Sequence, residues 1–114
     1  MKLKQVAKEY YSSHDYKNLR DETKAHYQYC LTNALATSVE GVIIGEVDCN
    51  DLSTKQAKLA YDLWCDRGIS TANHIMAVTR ILLNYAVRME HCNINPFATV
   101  RRRATQPRKV VWTK

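Results

Sequence analysis

Apolar residues recur along this chain three or four apart, at helical spacing, and almost nowhere in the strict alternation of a half-buried strand. Leu3, Val6, Ala7 and Tyr10 form one stripe with Lys2, Lys4 and Lys8 off it, the pattern of a short amphipathic helix. The polar stretch Ser12 to Leu19, holding Asp15 and Asn18, reads as its exit loop. A second helix is expected from about Asp21, where Asp21 and Glu22 suit the positive end of the helix dipole. It should reach about Thr37, with Tyr27, Cys30, Leu31, Ala34 and Leu35 inward. Val42, Ile43, Ile44 and Val47, bounded by Gly41 and the turn residues Asp48, Asn50 and Asp51, make a run too short for a helix. They read as an ordered connection with room for extended structure.

Ser53 followed by Gln56 is a capping box, because the hydroxyl can accept from the third helical N–H while the amide reaches back. The third helix it opens carries Ala57, Ala60, Tyr61 and Trp64 on one face, Leu59 and Leu63 alongside, and stops at Gly68, suited to a left-handed end. Ser70 is placed to cap a fourth helix running to about His91, which Asn95-Pro96 keeps from extending. Its apolar set (Ala72, Ile75, Met76, Val78, Ile81, Leu82, Leu83, Tyr85, Ala86, Met89) covers more than half the circumference, as in the central helix of a bundle. What remains is a narrow polar strip of Asn73, Arg80, Asn84 and Arg88. Beyond Pro96 one more turn through Phe97 to Val100 is expected before the chain turns basic and poor in core-forming residues until Trp112.

With 114 residues, 46% of them hydrophobic, one core is the expectation: an all-α helical domain over 1–97 and a basic linker over 98–114. The net charge of +6 is unevenly placed. Residues 1–97 balance, so the whole surplus lies in Arg101, Arg102, Arg103, Arg108, Lys109 and Lys114, with no acid among them. Such a cluster attracts a polyanion. Cys30, Cys49, Cys65 and Cys92 form no C-x-x-C pair and no apolar leader follows the first lysines, which points to free thiols in a reducing cytoplasm. No stretch approaches the roughly 20 apolar residues of a membrane span. Neither metal-ligand spacing nor a convergent acid, base and nucleophile is recognisable, so no cofactor, metal, small-molecule substrate or catalytic residue is expected. Tyr10, Tyr27, Tyr61 and Tyr85 fit the apolar stripes and read as core, with Trp64 as a bundle anchor.

One ordered set of motifs points further. It comprises Leu52-Ser53, Trp64, Gly68-Ile69-Ser70-Thr71-Ala72-Asn73, Arg80-Ile81-Leu82-Leu83-Asn84-Tyr85-Ala86-Val87 and Ile94-Asn95-Pro96. In order and spacing it resembles the core-binding domain of phage integrases, the tyrosine recombinases. Leu19-Arg20-Asp21-Glu22-Thr23 followed by Tyr27 resembles the family's opening of its second helix, although a serine-proline pair usually stands where Arg20-Asp21 is found. Arg108-Lys109-Val110-Val111-Trp112-Thr113 resembles the usual approach to the catalytic domain. The resemblance covers Leu3 to Lys114. It implies an orthogonal four-helix bundle of the SAM-like kind, one jaw of a C-shaped clamp on duplex DNA. The other jaw would carry the arginines, histidine and tyrosine that cut DNA. Nothing here matches the H-x-x-R segment or the late tyrosine, so this stretch is expected to be catalytically silent, the parent protein being the recombinase.

On that reading the partners are attachment-site DNA, the catalytic domain and neighbouring protomers, in the cytoplasm of a bacterial host. Arg80 and Arg88 suit phosphates or guanine edges, Asn73 and Asn84 adenine edges or phosphates. Thr71, Asn73 and His74 lie in the first turn, where free N–H groups attract phosphate. Thr23, Lys24 and Gln28 form a similar outward patch on the second helix, and Arg101, Arg102, Arg103, Arg108 and Lys109 would cross the DNA backbone. The competing expectation is a helical protein-interaction module with an incidental basic tail, since polar residues on a bundle's exposed side are commonly just solvated.

Overall fold

A computed structural model describes residues 1–101. The chain is mostly helical, with a small hairpin at one edge. Helix α1 (Leu3–Tyr11) buries the stripe expected of it: Leu3, Val6, Ala7 and Tyr10. The stretch expected as a loop holds a one-turn helix, α2 (His14–Lys17), because the Ser13 hydroxyl accepts from the Tyr16 amide at 3.3 Å and caps it. Helix α3 (Asp21–Leu35) opens on its two acids and buries Cys30, Leu31 and Ala34, while Tyr27 and Leu35 are half-buried.

Two short strands follow, β1 (Ser38–Val39) and β2 (Val42–Ile43), antiparallel with Val39 opposite Val42. Glu40 and Gly41 both have positive φ (51° and 80°), as a tight two-residue reversal requires. A 3₁₀ turn (Ile44–Glu46) then passes so close beneath α3 that a Cβ on Gly45 would stand 2.8 Å from the Leu35 carbonyl oxygen. This turn also anchors the N-terminus. Lys2 and Lys4 reach the Glu46 carboxylate at 3.2 and 2.7 Å, and the Met1 ammonium meets Asp48 at 2.7 Å.

Helix α4 (Thr54–Cys65) begins with the expected capping box, Ser53 Oγ accepting from the Gln56 amide and Gln56 Oε1 from the Ser53 amide, both 3.1 Å. Helix α5 (Ile69–Arg88) starts two residues earlier than a Ser70 cap would place it. Gly68, at φ 132°, serves as the N-cap, so Ser70 falls inside the first turn. At the other end Glu90 takes a left-handed conformation (φ 64°). The Glu90 amide donates to Val87 O and the His91 amide to Ala86 O, a Schellman closure built without glycine.

α5 is the central element, packed by α1, α3 and α4. Ten of its twenty residues are buried. The core continues past the helix: Phe97 and Val100 are buried, and the Phe97 ring lies parallel to Trp64 at 5.8 Å between centroids. Two residues expected inward are not: Ile81 is 37% and Met89 50% exposed. Cys49 and Cys92 are both buried where the loop before α4 meets the segment after α5, and His91 O accepts there from Cys49 Sγ (3.3 Å) and Asn50 Nδ2 (3.1 Å). Among the described residues, no helix is long and apolar enough to cross a membrane.

Candidate nucleic-acid interface

The outward row of α5 is Ser70, His74, Ala77, Ile81, Asn84 and Arg88, alternating four and three apart. At roughly 100° per residue these positions share one face. Asn73 and Arg80, expected on the same strip, lie roughly 60–80° round the helix from its middle, and each is taken up by the fold. Asn73 is only 9% exposed and its Oδ1 accepts from the Tyr61 hydroxyl of α4 at 2.5 Å. Arg80 is half-buried, its Nε donating to Phe97 O (2.9 Å) and its Nη2 to Val100 O (2.5 Å). The strip is therefore narrower than the sequence implied. A buried amide and a guanidinium already on two carbonyls are turned toward the protein.

Asn84 and Arg88 do face outward. Asn84 Oδ1 accepts from Asn95 Nδ2 at 2.8 Å, and that same amide nitrogen donates to Arg80 O at 3.1 Å. Asn95 Oδ1 in turn accepts from the Phe97 amide. Arg80, Asn84 and Asn95 thus form a latch fixing the turn after Pro96. Arg88 meets Asp15 at 2.8 Å, with both side chains 61% exposed, and its guanidinium lies 6.0 Å from the Tyr85 ring centre. A screened pair this open can exchange its carboxylate for a phosphate at small cost.

On α3, Thr23 and Lys24 are half-buried and Gln28 is exposed. Tyr16 of α2 donates its hydroxyl to Lys24 O (3.2 Å), and Lys24 Nζ lies 6.0 Å from that ring's centre. On α5, Thr71 is half-buried and His74 exposed. The two helices meet at their outward edges, where the His26 and His74 rings sit edge to face with centroids 5.3 Å apart. His26 is not among the expected contacts and Ser70 is expected only as a helix cap; the 70–74–77–81–84–88 spacing is the signal that puts Ser70 on the outward row. Between α1, α2, α3 and α5 a groove of about 300 Å³ is lined by Tyr10, Asp15, Leu19, Tyr27, Ile81, Asn84 and Arg88.

The electrostatics of this face are mixed. Arg88 shares it with the Asp15 carboxylate, and the basic cluster begins only at the exposed Arg101. Arg102, Arg103, Arg108 and Lys109 lie outside the described residues, as does Trp112. Burial pushes the phenols of Tyr10, Tyr11 and Tyr85 up to about 12. Among the described residues no cluster of three His, Cys, Asp or Glu could hold a metal ion. Comparison with family models, with curated proteins and with solved structures gives no match.

Proposed function

We propose that this chain is the DNA-holding, core-binding domain of a phage-type integrase, with α1, α3, α4 and α5 as the four helices of an orthogonal SAM-like bundle. The ordered motif set supports the family. The observation that carries DNA contact is that α3 and α5 run side by side at His26 and His74, with the acid-free basic stretch opening at Arg101, directly after the Arg80 latch. Such a surface supplies phosphate contacts from Lys24, His74, Arg88 and the run Arg101 to Arg103, and base or phosphate contacts from Gln28, Asn84 and Thr71. Thr23 supports the same patch. Asn73 and Arg80 act indirectly, the first by seating α5 on α4 and the second by fixing where the basic segment leaves the bundle. The catalytic domain, neighbouring protomers and cytoplasmic attachment-site DNA are the partners this reading requires.

Fluorescence anisotropy of a labelled duplex across a salt series tests it. Log affinity should fall linearly with log salt, by about 0.9 for each phosphate neutralised. Arg88→Ala should reduce that slope by about one contact's worth. Affinity independent of salt, or unchanged when duplex is replaced by heparin, sinks the proposal. A second reading, a helical protein-interaction module, draws on a different surface: a groove beside β1 whose charge is the wrong sign for DNA.

A further inference from the structure

On the edge formed by β1 and α4, a groove of about 530 Å³ runs between Val39 and Glu40 on one wall and Leu59, Asp62, Leu63 and Asp66 on the other. Its floor is apolar: Leu63 is 44% exposed, a large side chain left open on a helix that otherwise hides its leucines and tryptophan at least in part. Its rim is acidic. Three carboxylates surround the opening, in a domain whose first 97 residues carry equal numbers of each charge. Glu40 is reached by a single exposed lysine, Lys55, at 3.4 Å. An apolar floor with a carboxylate rim fits an extended segment that alternates cations with large apolar side chains.

The sequence contains such a segment. Arg108-Lys109-Val110-Val111-Trp112-Thr113-Lys114 holds three cations, no acid and the bulkiest apolar group outside the described core. We propose that the groove between β1 and α4 seats this segment of the same chain, Trp112 over Leu59 and Leu63 and the cations along Glu40, Asp62 and Asp66. The reach is sufficient. The chain leaves the core beside α4, where Phe97 stacks on Trp64. Thirteen residues follow Arg101. Extended, they span roughly 43–47 Å, well beyond the roughly 18 Å length of α4. The seat lies on a different face from the outward row of α5, so it does not rest on the DNA reading.

The test is ¹⁹F NMR of the full chain carrying 5-fluorotryptophan, which gives one resonance for Trp64 and one for Trp112, assigned with Trp112→Phe. Two perturbed chains accompany it, Leu63→Glu and the double variant Asp62→Lys/Asp66→Lys. The proposal expects the Trp112 resonance of the unchanged chain to show a solvent isotope shift well below that of the free amino acid. Each variant should restore the full shift while leaving the Trp64 resonance in place, which certifies the fold. A full isotope shift at Trp112 in the unchanged chain overturns the proposal. Protection that survives both variants overturns it too, because Trp112 is then buried elsewhere. So does protection that vanishes on dilution, which assigns the groove to a second copy.

Discussion

Arg80 shows how a residue's chemistry and its job can part company. By type it is the best phosphate ligand on the longest helix, yet it spends two donors on the carbonyls of Phe97 and Val100. Charge-assisted bonds to buried acceptors contribute more than neutral ones. Arg80→Ala should therefore lower unfolding stability by roughly 1–3 kcal/mol, read by urea denaturation, with the loss concentrated in protection of the 97–100 amides. A variant as stable as the parent but impaired on DNA would reverse this assignment and return Arg80 to the interface. Asn73 makes the same point. Its place on the polar strip was legible from spacing, but a helical pattern carries no information about how far round the helix the neighbours reach, and Tyr61 reaches it.

Elements were read most accurately where a local signal acts alone. The Ser53–Gln56 box and the α1 stripe need only their own few residues, and both stand as expected. The start of α5 was misread because two signals compete within three residues: Gly68 both ends the reversal after α4 and caps the next helix, leaving the Ser70 hydroxyl without that role. α2 went unseen because its polar sequence has one stripe residue, Tyr16, buried by tertiary packing. The end of α5 invites a substitution. Glu90 holds a left-handed conformation that costs an L-residue roughly 1–2 kcal/mol. Glu90→Gly should therefore raise stability by about 0.5–1 kcal/mol, after the glycine's greater unfolded-state entropy is set against that strain. The thermal midpoint checks it, and a lower midpoint would mean that the Glu90 side chain matters more than its backbone.

Across the whole molecule, the N-terminal helix is joined to the end of α5 by one carboxylate. Glu9 Oε2 accepts from the Tyr85 hydroxyl and lies against His91 Nε2, each at 2.8 Å. The His91 hydrogen bond first, then the tyrosine's, hold Glu9 below its ordinary value of 4.5. Lys4 with Lys2 hold Glu46 low, and the Met1 ammonium holds Asp48 low. A carboxylate depressed on folding contributes stability that is complete above its unfolded value and is lost as pH falls through the folded one. Stability should thus be flat down to about pH 4.5 from these groups and decline below it. Urea midpoints measured from pH 7 to pH 3 should show a shallower acid limb in Glu9→Gln, and an unchanged limb would remove Glu9 from the account. The fold was largely legible at this scale, since a stripe on each long helix demands a shared core. The candidate interface was less so, because it depends on which two helices touch.

The stack of Phe97 on Trp64, with Arg80 holding the carbonyls on either side of that turn, also has a mechanical meaning. Whatever pulls on the chain beyond Val100 pulls on the middle of the central helix and on a ring packed inside the core, with no swivel between. A load applied there would reach α4 through the Trp64 ring and α5 through the Arg80 guanidinium together.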